Sequence, residues 1–289
     1  MSDEGSSILA LDKPIRLRVI LIDIERLRHH EEVVPGLLRE LTEQIRRDGF
    51  LKHPIIIDEA SLVVLDGTHR VEALKALGCK RVPACLVNYH EPKIRLMCWY
   101  RTVKRAPPLP ELADMLSRRL GLSVELSDEL EPEEVGVPPI ALGLTDGSSY
   151  AKVLGDFEDK QGAWELVKRV EKALSSSGLH IGFEVEEDAM EKLSSGDADV
   201  VLMTPRVTKR DVVETALSGR VFPHKTTRHI IPARPLFLNV PLRLLRDERP
   251  IHALEAELRR ALAPRKLRRL PPGHVIEGRR YEEEVIIVE

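Results

Sequence analysis

Leu62-Val63-Val64-Leu65-Asp66-Gly67-Thr68-His69-Arg70 passes from an apolar, strand-like run through a charged turn into a helix expected to last until Leu77 and to stop at Gly78. Its glycine permits a tight turn, and backbone N–H groups at a helix N-terminus can point at an anion, where the helix dipole favours phosphate. Asp66 adds a carboxylate able to meet a metal ion. His69 adds an imidazole, and Arg70 adds a guanidinium that can hold a phosphate through two N–H groups. Taken alone, the segment reads equally as a helix capped by Asp66 with His69 and Arg70 on an ordinary surface.

Working outward, Arg16 to Asp23 reads as a strand, and Leu37, Leu38, Leu41 and Ile45 recur at helical spacing over Gly36 to Arg47, with Gly49 as C-cap. His53 to Ile57 reads as a strand whose hairpin partner is Leu62 to Leu65, Val82 to Val87 as another strand, and Ile94 to Tyr100 as a helical stretch. Strand, helix, hairpin, helix and strand in so short a span make a compact α+β unit. Proline clusters at Ala106 to Pro110 and Glu131 to Pro139 follow, with a helix over Glu111 to Leu120 and a strand over Ser123 to Leu126 between them. From Ile140 a hairpin around Asp146-Gly147 and then alternating helices and strands to Leu217 suggest a second α/β layer. The expected division is 1–105, 106–245 and a helical tail appendage over 246–289.

The chain has 289 residues, 43% hydrophobic and 31% charged, with a formal net charge of −3. It therefore belongs to the globular class, with no apolar run near the roughly 20 residues that span a bilayer. The start, Met1 to Lys13, lacks the basic and apolar regions of a secretory signal, so a cytoplasmic location is expected. Without a basic excess there is little to release counterions from a nucleic acid. The basic residues Arg259, Arg260, Arg265, Lys266, Arg268 and Arg269 read as a solvated helix face and linker. Cys79, Cys85 and Cys98 sit in apolar settings without metal-ligand spacing and read as buried, inert thiols. Amides are scarce (Gln44, Asn88, Gln161, Asn239), a composition that points to a thermophilic source.

Two further constellations carry chemistry. Pro223-His224-Lys225-Thr226-Thr227-Arg228-His229 packs an ammonium, a guanidinium, two hydroxyls and two imidazoles into a short loop, which suits a multiply charged anion or, more plainly, a polar turn capped by a threonine. His29-His30-Glu31-Glu32 precedes a helix, where a carboxylate is ordinarily a cap or dipole partner.

Asp66-Gly67-x-His69-Arg70 with Ala73, Leu77-Gly78 and Val82-Pro83, preceded by His30-Glu31, Gly49 and Pro54-Ile55, resembles the ParB/sulfiredoxin-like superfamily over residues 17 to about 90. In that superfamily this turn contacts nucleotide phosphates. Because the superfamily holds DNA-partition proteins, a sulfinic-acid reductase and small-molecule kinases, the fold alone does not choose among them. Lys225-Thr226-Thr227-Arg228-His229 resembles the C-terminal motif of the free serine kinases of archaea, and Trp99-Tyr100 is similar to a Trp-Tyr pair near the end of that family's first domain.

The resemblance implies transfer of the terminal phosphoryl group of ADP or ATP, with Mg²⁺, to the hydroxyl of L-serine, feeding cysteine biosynthesis. Glu31 would be the general base, with Glu32 the alternative after a one-residue shift. Asp66, Gly67, Thr68, His69 and Arg70 would hold nucleotide phosphates, with Asp66 also a candidate Mg²⁺ ligand. Trp99, Lys225, Thr226, Thr227, Arg228 and His229 would hold serine and the transferring group. Thr68 departs from the His common at its position in that family, and 106–137 and the last 45 or so residues match poorly. A homodimer is compatible with such a chain.

A ParB-like DNA-associated nucleotide-binding protein is the leading rival. It would need a helix-turn-helix where Glu125, Asp128, Glu129, Glu131, Glu133 and Glu134 make the chain acidic. A sulfiredoxin-like reductase would need a reactive cysteine beside the phosphate turn, and Cys79 lies after the following helix.

Overall fold

The computed structural model describes residues 7–289; residues 1–6, part of the segment read for a missing secretory signal, lie outside the described residues. The chain is α+β and forms two compact units, one made of the stretch up to Arg95 with Ala216–Val221 and His229–Glu289, the other of Leu96–Thr215 with Phe222–Arg228. The division therefore falls ten residues earlier than the proline cluster suggested, inside a strand. The tail is no appendage, since it folds into the first unit.

The first unit is built on a five-stranded sheet in the order Leu9–Leu11, Leu17–Asp23, Arg81–Val87, Ile55–Asp58, Val64–Asp66. Ile55–Asp58 runs parallel to Arg81–Val87, and the other pairs are antiparallel. Helix α1 (Pro35–Asp48) ends at Gly49, whose φ of 77° lets its amide close on the Ile45 carbonyl at 3.0 Å. Helix α2 (Thr68–Ala76) follows the last strand after the single residue Gly67. Val19, Ile55, Ile57, Val64, Val71, Leu74, Val82 and Ala84 are fully buried. Each such valine, leucine or isoleucine side chain contributes about 2 kcal/mol of transfer free energy, so this layer anchors both ends of the turn.

A second, three-stranded sheet in this unit places Arg234–Leu236 parallel to Val285–Val288 and Leu267–Leu270 antiparallel to it. The fully apolar Val285–Val288 needs partners on both edges, and that need draws the tail back onto the unit. Leu236, Tyr281, Val285 and Ile287 pack as its core. The basic run expected as a linker is half strand, with Arg268 paired to Glu289 at 2.5 Å and Arg269 to Glu284 at 2.6 Å. Helix Ile251–Leu262 carries buried Glu255, which accepts from the Leu21 amide at 2.8 Å.

In the second unit, Arg95–Lys104 is a strand flanked on both sides by antiparallel His180–Val185 and Val200–Met203. The helix expected at Ile94 to Tyr100 is thus overturned. Leu96, Met97 and Cys98 tolerate either state, and two-sided pairing in mid-sheet decides it. Ile140–Thr145, Tyr150–Leu154 and Ser123–Ser127 extend the sheet. Cys98, Tyr100, Val201 and Met203 pack on one side. Helix Lys160–Ser176, capped by Asp159 accepting from the Gly162 amide at 2.9 Å, contributes the fully buried Trp164.

Candidate functional site

The phosphate-type turn has the expected backbone. Gly67 has φ of 106° and brings no side chain of its own to the start of α2, so the turn presents backbone there. A Cβ at Gly67 would stand 2.7 Å from Ile55 Cγ2 and 2.9 Å from the Arg70 guanidinium carbon, so only glycine fits.

Asp66 is held by three guanidiniums. Arg70 Nη2 lies 2.9 Å from Oδ1, Arg234 Nη1 pairs with Oδ2, and Arg279 Nη1 is 3.8 Å from Oδ2. Burial by itself would raise this carboxyl, but Arg70, Arg234 and Arg279 outweigh it and hold the group far below the usual carboxylate range. Both carboxylate oxygens are thus engaged by guanidiniums. Among the described residues no cluster of three or more His, Cys, Asp or Glu side chains is arranged to hold a metal ion.

Arg70 also donates to the carbonyls of His53 (3.3 Å) and Pro54. His69 faces the loop before α1: its Nε2 accepts from the Val34 amide at 3.0 Å, which fixes the neutral tautomer there and pins the segment that carries Glu31. His30 donates from Nδ1 to the Val64 carbonyl at 2.8 Å, and its Nε2 is 3.9 Å from Glu31 Oε1. Burial is the main cause that lowers the pKa of both imidazoles.

His229, the last residue of the second constellation, belongs to the first unit. Its ring meets His30 edge-on at 5.5 Å, and its Nε2 shares a 2.7 Å hydrogen bond with the buried Tyr89 hydroxyl. Arg234 closes the network. It donates from Nη2 to the His229 carbonyl at 3.2 Å and from Nε to Glu283 at 2.8 Å while holding Asp66. The His30-Glu31 pair, the Asp66-Gly67 turn and His229 are therefore joined by a continuous chain of contacts within one unit. Neither Arg234 nor Glu283 stands out in the sequence by motif. The one signal is a guanidinium placed inside the apolar run Ile230 to Leu236, where a buried charge requires a partner.

Beside this network a cavity of about 280 Å³ opens between the end of α1 and the tail, lined among others by Leu41, Gln44, Pro54, Arg70, Leu236 and Tyr281. Its wall is mixed, with Leu41, Leu236 and Tyr281 as apolar surface and Asp66, Arg70, Arg234 and Arg279 as charged groups.

The rest of the second constellation lies in the second unit with Trp99. Lys225 Nζ sits 3.9 Å from the centre of the Trp99 ring and the Arg228 guanidinium 5.1 Å from it, so the indole is a platform for two cations. Trp99 Nε1 donates to the Thr227 carbonyl at 3.0 Å. Thr226 is fully buried and donates its hydroxyl to the Pro223 carbonyl at 2.8 Å, shaping the turn in which Lys225 adopts φ of 62°. Arg101, which sequence reading passed over, organises this loop. It donates from Nη1 to the carbonyls of Trp99 (2.6 Å) and Lys225 (2.9 Å) and from Nη2 to His224 (3.4 Å), with Nε on Glu171 at 2.5 Å.

The three thiols are free and buried, with burial pushing Cys85 up to about 12 and Cys98 up to about 11, as inert cysteines require. None of the described helices is long and apolar enough to cross a membrane.

No family model matches the chain. An ATP-dependent L-serine kinase of Staphylothermus marinus is 30% identical over 256 residues, covering 84% of this chain and 98% of that protein. An ADP-dependent L-serine kinase of Thermococcus kodakarensis is 28% identical over 232 residues, 77% of this chain and 91% of its own. Among solved structures, a free serine kinase in complex with AMP superposes with a TM-score of 0.65 at 25% identity, over 78% of this chain and 93% of that one.

Proposed function

The chain belongs to the nucleotide-dependent L-serine kinases, and from that membership we propose how its own residues divide the reaction between them. The enzyme transfers the terminal phosphoryl group of an adenine nucleotide to the hydroxyl of free L-serine, giving O-phosphoserine. As the serine Oγ–P bond forms, the bond between that phosphorus and the next phosphate's oxygen breaks, and the hydroxyl proton passes to Glu31. The nucleotide leaves one phosphoryl group shorter.

The observation that carries this reading is the glycine turn at the start of α2 beside a cavity lined by both apolar and cationic side chains. The phosphates rest on the amides after Gly67, and the nucleoside occupies the 280 Å³ cavity against Leu41, Leu236 and Tyr281. Thr68 adds a hydroxyl donor at the first turn. Arg70 and Arg234, held in place by Asp66 and Glu283, supply fixed positive charge where negative charge accumulates. His69 and His30 hold the loop that presents Glu31. Magnesium enters as part of the nucleotide complex, since Asp66 is already occupied by guanidiniums.

Serine is assigned to Trp99, Lys225, Thr227 and Arg228 of the second unit, whose cations and donors suit its carboxylate and the incoming phosphate. Thr226 maintains the loop from within. The related proteins are named for ATP in one case and ADP in the other, so both donors belong in the test. A cytoplasmic location suits an enzyme fed by adenine nucleotides, and O-phosphoserine, with its displaceable phosphate, suits cysteine synthesis. Incubation with L-serine, L-homoserine and L-threonine, each with ADP or ATP, followed by mass spectrometry of the amino acid, tests the assignment. A phosphorylated serine is the expected product. Phosphate on another acceptor alone would move the substrate.

A further inference from the structure

Three guanidiniums meet at Asp66, and one differs from the others. Arg70 and Arg234 have side chains 17% and 4% exposed, and each has additional partners, the carbonyls of His53 and Pro54 for Arg70 and Glu283 with the His229 carbonyl for Arg234. Arg279 is 47% exposed and lies at 3.8 Å, the longest of the three pairs. Its guanidinium is 4.8 Å from the centre of the Tyr281 ring, and both residues line the cavity.

The base of this side chain is firm. Val275–Ile276 and Arg279–Arg280 pair antiparallel across a two-residue turn in which Glu277 and Gly278 have φ of 50° and 78°, the left-handed pair that matches strand twist. Glu277 ties the turn to the opposite cavity wall through Lys52 at 2.6 Å and His53 at 3.4 Å. A long, weakly paired cation thus stands on a fixed hairpin beside the phosphate turn. Asp66 would keep Arg70 and Arg234 if Arg279 left it.

We propose that Arg279, supplied by the C-terminal hairpin, is a donor-binding residue that exchanges its ion pair with Asp66 for a phosphate of the bound nucleotide. The proposal rests on the reading of the cavity as the nucleotide site. Exchanging a long carboxylate pair for a doubly charged phosphate oxygen group gains Coulomb energy, and the indifferent platform of Tyr281 lets the fork turn without losing its aromatic contact. The last stretch of the chain then sets donor affinity, although it is distant in sequence from every motif of the site.

Isothermal titration of wild type, Arg279→Ala and Arg279→Lys with ADP, ATP and adenosine tests this, with Leu41→Trp, which fills the cavity, as control. Arg279→Ala should bind both nucleotides about 10-fold or more weakly, as loss of one charge-assisted phosphate contact implies. Adenosine affinity and the KM for serine at saturating donor should stay unchanged, and Arg279→Lys should recover part of the nucleotide affinity. Equal loss for adenosine would make Arg279 a structural prop and overturn the proposal. Unchanged nucleotide binding by Arg279→Ala, with loss in Leu41→Trp, would overturn the proposal and leave the donor site standing. Unchanged binding in both variants would remove the donor site and the proposal together.

Discussion

Arg101, fully buried in its sheet, donates to the Lys225 carbonyl at 2.9 Å, so a side chain in mid-strand sets the backbone of a cationic loop more than 120 residues later in the chain. The same guanidinium lies 5.0 Å from the Trp164 ring centre and 4.8 Å from that of Phe183. Its Nε pairs with Glu171 at 2.5 Å. Arg101→Met removes the fork and strands that carboxylate. The expected cost is about 3 kcal/mol in urea unfolding, since breaking a buried pair leaves one partner uncompensated. Glu171→Gln keeps an acceptor for Nε. It should fold near normally and raise the KM for serine more than the KM for nucleotide, a split that initial-rate measurements resolve.

Gly67→Ala should abolish measurable nucleotide binding. The new methyl meets Ile55 at 2.7 Å in a backbone with φ of 106°, so the turn must open and the amides at the start of α2 lose their aim. A stability loss of about 1–3 kcal/mol accompanies it. Calorimetric titration with ADP and a thermal melt read the two effects separately.

These two sites differ in how far sequence reading reaches. Gly67 is legible because strand, glycine and helix are contiguous, and a turn of that kind has local rules. The same holds for α1 with its Gly49 cap and for the hairpin around Asp146-Gly147. Arg95–Lys104 is not, because a strand covered on both faces shows no alternation, and Leu96-Met97-Cys98 is equally at ease in a helix. The tail is illegible for a different reason. Glu277 reaches Lys52 and Glu283 reaches Arg234 across 225 and 49 residues, and no local pattern encodes such pairs. The Asp66 carboxylate shows the limit on the site itself: its position and its pairing with Arg70 four residues on are local, but its other two guanidiniums come from Arg234, 168 residues away, and from Arg279 beyond it.

Stability should fall below neutral pH through His53. Its Nδ1 accepts from the Phe237 amide at 3.0 Å, and burial, with Arg70 nearby, lowers its pKa from 6.5 to about 4. Between those values the unfolded chain binds a proton that the folded chain refuses. The contribution is therefore complete above pH 6.5 and lost as pH falls towards 4, amounting to at most about 3 kcal/mol. His53→Asn retains an acceptor for Phe237 but has no titration. Urea melts at pH 7 and pH 5 should show a smaller drop for this variant than for wild type, and equal drops would remove His53 as the cause.

Glu31→Gln should lower kcat by about 10²–10⁴-fold, the usual contribution of a positioned base, with ADP and ATP affinity nearly unchanged. Glu32→Gln serves as its neighbour control and should retain most activity. Rapid-quench turnover and equilibrium titration check the pair, and the reverse pattern would transfer the role to Glu32.

The serine kinase reaction is tested most directly by ³¹P NMR of the purified protein with Mg²⁺ and L-serine, run separately with ADP and with ATP at elevated temperature. A phosphoserine resonance should grow with at least one donor as that donor's terminal phosphate signal declines, and should be absent from the Glu31→Gln sample over the same interval. Folded protein that consumes neither nucleotide, or that releases only inorganic phosphate in the presence of serine, would contradict it.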